Sequence, residues 1–227
     1  MWIKICANTN LEDAQLAASL GADALGFVFA PSSRRVTVEQ IAQITPHLPR
    51  TVERVGVFHT RDEDDIVRTI EQAGLSGVQL HGGVDPALAA RLRARLGSGI
   101  TLIQTIHWIV DASGESAGEV ARQLREIAAA GVVDRVLVDS KVGAALGGTG
   151  VSFDWSAARA VLAANAGSLK LIVAGGLRPE NIAEAIQALD PWGVDVASGV
   201  EAEPGRKSPD KLAAFLRNAR EPRRVPG

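Results

Sequence analysis

The chain has 227 residues, of which 46% are hydrophobic and 22% charged, and this composition is typical of a globular protein with a sizeable core. Its 24 basic and 26 acidic side chains nearly cancel, so we expect neither nucleic acid nor a membrane as a partner. The single cysteine, Cys6, excludes an internal disulfide and a cysteine-based metal cluster, and we expect no bound metal and a reducing, cytoplasmic location.

Short segments with strand character alternate with longer helical segments along the whole chain. The predicted strands are Trp2 to Cys6, Ala24 to Phe29, Arg54 to Phe58, Gly77 to Leu80, Thr101 to Ile106, Arg135 to Asp139, Leu169 to Ala174 and Gly193 to Ala197. Because a helix follows each strand, the strands are predicted to be parallel, and their sheet must have both faces covered or close on itself. A (β/α)8 barrel formed by one domain, residues 1–219, fits best, and an open doubly wound sheet is the alternative. We expect residues 220–227 to be a disordered tail.

Local signals mark the ends of several helices and one loop. Three threonines precede a Glu or Gln at the spacing of a capping box: Thr9 with Glu12, Thr37 with Gln40, and Thr60 with Glu63. After the fifth strand, residues 107–118 are predicted to form a rather long loop.

The active site of such a barrel lies at the carboxyl ends of its strands. Glycine-rich loops follow the last two strands, at Gly175-Gly176 and Ser198-Gly199, where backbone N–H groups can hold a phosphate. Tight turns between strand and helix are the alternative interpretation. A third loop, which contains Gly148 and Gly150, either closes another side of the same pocket or serves as a hinge.

Two side chains near these strand ends suit acid and base chemistry. Cys6 lies two residues after Lys4, so both are predicted to face the barrel interior, where Lys4 would favour a thiolate. A lone buried cysteine is often only a small apolar residue, and this alternative stays open. Asp139 ends the sixth strand, where loss of solvent would raise the pKa of its carboxyl group, although it could instead cap the following loop.

The remaining polar residues at the mouth can bind anions or assist. Arg34 and Arg35 can each offer a forked pair of donors to a carboxylate. His81 has a stronger claim to a role than His59, His47 or His107. One phosphate site, one possible carboxylate site, a thiol and a carboxyl group together suggest isomerisation or elimination on a phosphorylated sugar acid.

Over nearly its whole length, the sequence resembles the phosphoribosylanthranilate isomerases of tryptophan biosynthesis. The segments that carry the resemblance are Lys4-Ile5-Cys6, residues 21–29, Ser33-Arg34-Arg35, residues 78–82, Val138-Asp139, residues 147–150, Phe153-Asp154-Trp155, residues 174–177, Pro179-Glu180-Asn181, residues 193–196 and residues 198–201. Each segment alone is weak evidence, but their joint order is specific.

The resemblance implies a role for each candidate residue. It assigns the general base to Cys6, the general acid to Asp139, and binding of the anthranilate carboxylate to Arg35 rather than Arg34. The phosphate ligands it implies are Gly175, Gly176, Ser198 and Gly199, with Gly148 and Gly150, and the supporting residues are Lys4, His81 and Asp195. One departure is Ala7, where the family usually has glycine; alanine there would change little if its φ angle were negative.

The activity that the resemblance implies is an Amadori rearrangement, which converts N-(5-phosphoribosyl)anthranilate to 1-(2-carboxyphenylamino)-1-deoxyribulose 5-phosphate without a cofactor. The partner is then a small phosphosugar, and the chain is expected to be a monomer or a homodimer. Two alternatives stay open. The related aminoaldose isomerase of histidine biosynthesis would need an aspartate at position 6 and a second phosphate site, and a non-catalytic phosphosugar-binding barrel would have no use for Cys6 opposite Asp139.

Overall fold

The computed structural model describes residues 1–110, 115–142 and 155–221. Its parallel strands are β1 Trp2–Ile5, β2 Ala24–Val28, β3 Glu53–Phe58, β4 Gly77–Leu80, β5 Thr101–Val110, β6 Arg135–Val142, β7 Lys170–Ala174 and β8 Gly193–Val196. Each strand pairs with the next in chain order, and β8 pairs with β1, so the sheet is a closed barrel. The predicted (β/α)8 barrel is therefore confirmed, and the open sheet is excluded.

A ring of helices surrounds the barrel. The helices are α1 Leu11–Ser19, α2 Val38–Ile44, α3 Glu63–Gln72, α4 Pro86–Leu96, α5 Glu115–Ala130, α6 Trp155–Asn165, α7 Ile182–Leu189 and α8 Pro209–Arg220. After β8, a short 3-10 helix, Ser198–Val200, leads into a hairpin of β9 Glu201–Glu203 and β10 Arg206–Lys207. Outward-facing aliphatic side chains of the strands, such as Ile3, Ile5 and Leu25, pack against the helices and are fully buried.

Alternate residues of each strand point into the barrel, as the two-residue repeat of a strand requires. Near the amino ends of the strands, Trp2, Ile103, Leu137 and Ile172 fill the interior with apolar side chains. Polar side chains replace them nearer the carboxyl ends, where Lys4 is fully buried. The interior is thus apolar at the amino ends of the strands and polar nearer their carboxyl ends.

The helix starts agree only in part with the predicted caps. Thr37 and Gln40 form the predicted capping box. The cap of α1 is Asn10 instead of Thr9, and the cap of α3 is Asp62 instead of Thr60. Thr9 is unavailable as a cap because its hydroxyl donates to the Gly205 carbonyl at 2.6 Å, a contact with the distant β9–β10 hairpin.

The fifth strand is longer than predicted. It continues to Val110, and α5 begins at Glu115, so the prediction of a loop over residues 107–118 was wrong. The added length comes from pairing with β6, in which His107 lies beside Asp139 and Val110 beside Val142. This extension carries His107 into the mouth of the barrel.

The predicted tail begins two residues too early, because Arg220 and Glu221 are both described and the Glu221 amide donates to the Arg217 carbonyl at 3.0 Å. Arg220 is the last residue of α8, and its guanidinium donates to Asp23 at 2.9 Å and to the Gly21 carbonyl. These bonds tie the end of α8 to the turn after α1. The rest of the predicted disordered tail, from residue 222 onward, lies outside the described residues. No helix within the described ranges combines the length and apolar character that a membrane crossing requires.

Candidate active site

A cavity of about 610 Å³ opens at the carboxyl ends of the strands. Its wall contains most of the residues that the sequence analysis singled out: Cys6, Asp139, His81, Asp195, Gly175, Gly176, Ser198 and Gly199. A cavity of this size is large enough for a small-molecule ligand. Gly148 and Gly150, the other two predicted phosphate ligands, lie outside the described residues.

Cys6 and Lys4 face the interior, as predicted, but Lys4 has partners of its own. Its ammonium group donates to the Asp195 carboxylate at 3.0 Å and to the Gln79 side chain at 2.9 Å. Burial works against the charge of Lys4, but Asp195 and Cys6 outweigh this effect and raise the pKa of Lys4 above its ordinary value. The inward direction predicted for Asp195 is thus confirmed.

The same environment acts on Cys6 in the opposite direction to the one expected from Lys4 alone. Burial raises the pKa of the Cys6 thiol, and the positive charge of Lys4 offsets this only in part. Lys4 thus favours the thiolate, as predicted, but burial outweighs its effect on the pKa of Cys6. The net effect of this environment is to favour the protonated thiol of Cys6.

We expect iodoacetamide to modify Cys6 slowly at pH 7 and faster as the pH rises beyond the ordinary thiol pKa of 9.0. The reason is that only the thiolate reacts, and the fold disfavours it. Cys6 is the only cysteine, so the mass of the intact chain reports its modification alone. The chain unfolded in urea is the control, and a folded chain that reacts with the same pH profile as the unfolded one would contradict this prediction.

Gly26 on β2 makes room for these two side chains. A Cβ atom built at Gly26 would lie 2.7 Å from Cys6 Sγ and 2.9 Å from Lys4 Cε. Real Cβ atoms do not approach other atoms so closely, so any larger residue would displace the thiol and the ammonium group. Gly26 belongs to a segment that carries the family resemblance, but only the tertiary structure shows what it contacts.

We expect Gly26→Ala to lower the free energy of unfolding by about 1 to 3 kcal/mol, because the added methyl overpacks the barrel interior. Part of this loss should disappear in a Cys6→Ala background, which lacks the Sγ atom. Urea denaturation of the two single variants and the double variant measures the coupling, expected at about 0.5 kcal/mol or more. Strictly additive losses would show that the methyl does not meet the thiol.

Ala7, which follows Cys6, has a left-handed backbone with φ of 61°. The condition under which alanine would change little, a negative φ, is therefore not met. A left-handed conformation costs an alanine about 1 kcal/mol or more relative to glycine. Hydrogen bonds hold the turn, because the amide of Cys6 donates to the Val196 carbonyl at 2.8 Å and that of Asn8 to the Gly26 carbonyl at 2.9 Å.

The two glycine loops lie against each other at one side of the cavity. Gly175 and Gly176 both have positive φ, which glycine adopts without strain. Asn181 holds this loop, since its side chain donates to the Gly176 carbonyl at 3.0 Å and accepts from the Arg178 amide at 2.8 Å. A Cβ at Gly199 would overlap the Leu177 carbonyl oxygen, so only glycine allows the loops to touch.

Behind these loops, the buried carboxylate of Glu201 accepts hydrogen bonds from Arg34 and Lys207. Arg34 binds it in bidentate fashion, with Nε 2.9 Å from one oxygen and Nη2 2.6 Å from the other. Lys207 contributes a third contact at 3.3 Å and also donates to the Cys6 carbonyl at 2.6 Å. Burial opposes the charge of Glu201, but these cations outweigh it and hold the pKa of the carboxyl below its usual value.

The two neighbouring arginines do not lie where the sequence analysis expected them. Arg34 lines the cavity, with its guanidinium engaged by Glu201, whereas Arg35 is exposed on the same loop and is not among the lining residues. The difference arises because Glu201, 167 residues away, attracts Arg34. The assignment of the carboxylate ligand to Arg35 stays a prediction.

Asp139 on β6 lies beside a pair of histidines, His107 on β5 and His81 directly after β4. Its Oδ2 atom is 3.5 Å from Nδ1 of His107, and the His107 ring meets that of His81 edge to face, with 4.8 Å between the ring centroids. The Asp139 side chain is 19% exposed, so it can reach a ligand in the cavity. The sequence analysis ranked His107 below His81, and it ended the fifth strand at Ile106.

These features define a (β/α)8 barrel with one cavity at the carboxyl ends of its strands, which is where barrel enzymes have their active sites. The family model of N-(5'-phosphoribosyl)anthranilate isomerase matches residues 3–218. The chain belongs to this family.

Individual relatives agree with the family match. The N-(5'-phosphoribosyl)anthranilate isomerase of Pelobacter propionicus is 40% identical over 222 residues, which cover 97% of this chain and 96% of that protein. The crystal structure of the phosphoribosyl anthranilate isomerase of Thermotoga maritima superposes with a TM-score of 0.80 at 35% identity, over 96% of this chain and 98% of that one. A phosphoribosyl anthranilate isomerase in complex with reduced 1-(o-carboxyphenylamino)-1-deoxyribulose 5-phosphate has a TM-score of 0.78 at 34% identity, over the same shares of the two chains.

Proposed function

We propose that this chain catalyses the Amadori rearrangement of N-(5'-phosphoribosyl)anthranilate in tryptophan biosynthesis, with Asp139 as general acid and Cys6 as general base. The observation that carries the proposal is that both groups line one cavity whose wall also contains the two glycine loops. A phosphate bound at those loops leaves the rest of a ribose-sized substrate over the acid and the base.

The reaction needs one proton to be given and one to be taken. Asp139 gives its proton to the ring oxygen of the ribose, which breaks the bond between C1 and that oxygen and leaves a Schiff base with the anthranilate nitrogen. Cys6, as thiolate, takes the proton from C2, and the electron pair forms the C1–C2 double bond of an enolamine. Tautomerisation of the enolamine gives the ketone, so the product is an isomer of the substrate and no redox partner is needed.

Burial and the charges in the cavity determine how readily Cys6 forms the thiolate that the second step needs. The Cys6 thiol has a raised pKa, so the thiolate is a minor species in the free enzyme. Lys4, charged and close to Cys6, stabilises that thiolate when it forms. Asp195 and Gln79 keep Lys4 in place, which gives the predicted supporting residues Lys4 and Asp195 a positioning role.

We assign the phosphate and the carboxylate of the substrate to two separate parts of the cavity mouth. The backbone of Gly175, Gly176, Ser198 and Gly199 would receive the phosphate, with Gly148 and Gly150 as further predicted ligands. Arg35 would bind the anthranilate carboxylate. Arg34 is less suited to this task because Glu201 already occupies its bidentate face.

Arginine variants separate these two roles. We expect Arg35→Ala to raise KM about 10- to 100-fold, the effect of losing hydrogen bonds to a charged group, while the free energy of unfolding stays the same. Arg34→Ala should instead cost about 1.5 to 3 kcal/mol of stability, because it removes all the hydrogen bonds that Arg34 donates to buried Glu201. Steady-state kinetics and urea denaturation of both variants measure the two effects. A raised KM in Arg34→Ala with full stability, and an unchanged KM in Arg35→Ala, would reverse the assignment.

The activity itself is tested by incubating the purified chain with freshly prepared phosphoribosylanthranilate and following substrate fluorescence. A loss faster than the spontaneous reaction supports the proposal, and rescue of a tryptophan auxotroph is the cellular counterpart. A rate equal to that without protein would favour a non-catalytic phosphosugar-binding barrel. Activity on the histidine-pathway aminoaldose alone would favour the other isomerase.

We also propose that the chain is a monomer or a homodimer and that it is located in the cytoplasm. Among the described residues, the only exposed large hydrophobic side chains are Met1 and Leu20. Stable dimer interfaces have a largely apolar core, so this surface favours a monomer.

A further inference from the structure

Three side chains that can ligate a metal converge at the mouth of the barrel. They come from neighbouring strands: His81 directly follows β4, His107 lies in β5 and Asp139 in β6. His107 and Asp139 are register partners, so their side chains point inward side by side. One ligand atom from each residue lies within 4.8 Å of the others. The sequence does not indicate that these three residues meet, because His81 and Asp139 are 58 positions apart in the chain.

The geometry of the histidines favours a ligand rather than a packing role alone. Nδ1 of His107 is buried and has no hydrogen-bond partner among the described residues, and the nearby Asp139 oxygen is 3.5 Å away. The His81 amide donates to the Phe58 carbonyl at 2.8 Å, which fixes the backbone that carries the second imidazole. All three residues remain partly exposed to the cavity, so an ion can enter.

We propose that His81, His107 and Asp139 bind a divalent transition-metal ion of the zinc class. Imidazole nitrogen and carboxylate oxygen are ligands that Zn²⁺, Co²⁺ and Ni²⁺ accept, at bond lengths of about 2.0 to 2.2 Å. Ligand atoms around such an ion are about 3.3 Å apart in a tetrahedron, so the observed spacing closes by small rotations of the three side chains. The fourth position of the ion faces the cavity.

Occupancy of this site has a consequence that rests on the proposed function. An Asp139 oxygen bound to the metal cannot carry the proton that the ring-opening step needs. The metal is therefore an inhibitor of the reaction rather than a cofactor. Cys6 lines the same cavity and is a softer ligand, so its participation has to be tested separately.

Binding is measured directly by titrating the full chain, stripped of metal with a chelator, with Co²⁺ and recording the visible spectrum. We expect one Co²⁺ per chain, displaced by Zn²⁺, and an affinity at least about 10-fold weaker in His107→Ala. His47→Ala is the matched control, because His47 is exposed in the short 3-10 helix after α2 and is not among the residues that line the cavity. Cys6→Ser should bind Co²⁺ as the parent does. Undiminished binding by His107→Ala, loss of binding in Cys6→Ser, or no Co²⁺ binding by the parent would overturn the site.

Inhibition is measured separately with Zn²⁺ in the fluorescence assay. The parent and His47→Ala should lose activity with Zn²⁺ and regain it with chelator, and the residual activity of His107→Ala should need at least about 10-fold more Zn²⁺ for the same loss. Co²⁺ binding without inhibition supports the metal site and contradicts the role of Asp139 as the acid. The metal site and the proposed function can therefore fail independently.

Discussion

Asp139→Asn is expected to lower kcat by about 10²- to 10⁴-fold, the range typical of losing a general acid, with little change in KM. Asparagine has nearly the same shape and can still donate a hydrogen bond, but it cannot give a proton to the ring oxygen. Asp139 lies in the cavity wall, on β6 beside His107 of β5, so the substitution leaves the packing of the barrel core unchanged.

Steady-state kinetics on phosphoribosylanthranilate measures this loss, and thermal unfolding of the variant shows that the fold is intact. Asp210→Asn is a matched control, because Asp210 is exposed in the first turn of α8 on the surface of the barrel. Its kinetics should equal those of the parent. A variant Asp139→Asn that turns over at a rate close to the parent's would remove Asp139 from the mechanism.

Cys6→Ser is expected to produce a comparable loss, about 10²- to 10⁴-fold in kcat. The serine hydroxyl fits in place of the thiol but is far too weak an acid to form the anion that takes the C2 proton. Lys4 and the room left by Gly26 position an anion at this point, and they cannot compensate for the higher pKa of a hydroxyl.

The Cys6→Ser variant is compared with the parent at several pH values in the same assay. The activity of the parent should follow a bell-shaped pH profile, because Cys6 must be a thiolate while Asp139 must carry a proton. The raised pKa of the Cys6 thiol keeps the thiolate fraction small on the acidic side of this profile. Urea denaturation checks that the loss is one of chemistry, since Cys6 is buried and a changed packing would appear as a lower stability. Near-parental turnover by the serine variant would exclude Cys6 as the base.

The alternation of strands and helices was readable from the sequence because it depends on local periodicity and turn residues. The bounds of β4, Gly77–Leu80, agree with the prediction because they follow from short-range preferences of this kind. The same reasoning failed where a distant contact competes with a local one. Thr9 has the spacing of a cap, but its hydroxyl is drawn to Gly205.

The sequence predicted which residues line the candidate site more reliably than it predicted the contacts between them. Cys6, Asp139 and the glycine loops lie on the cavity wall because the carboxyl ends of parallel strands in a closed barrel meet at one mouth. The contact between Arg34 and Glu201 was missed, since two identical neighbouring side chains offer no local signal to separate them. His107 was missed because the strand that carries it is extended by pairing with β6.

By itself, then, the sequence determined the number and order of the βα units and the face of the first strand on which Lys4 and Cys6 lie. It also indicated the family with which to compare the chain. Only the tertiary structure decided that Lys4 pairs with Asp195 and that Ala7 takes a left-handed backbone. Periodicity sets the direction of a side chain within its own strand, but closure and register set which side chains meet. Lys4 and Asp195 are 191 residues apart in the chain and 3.0 Å apart in the barrel. Burial, and after it the charges of Lys4 and Asp195, shift the pKa of the neighbouring Cys6 thiol.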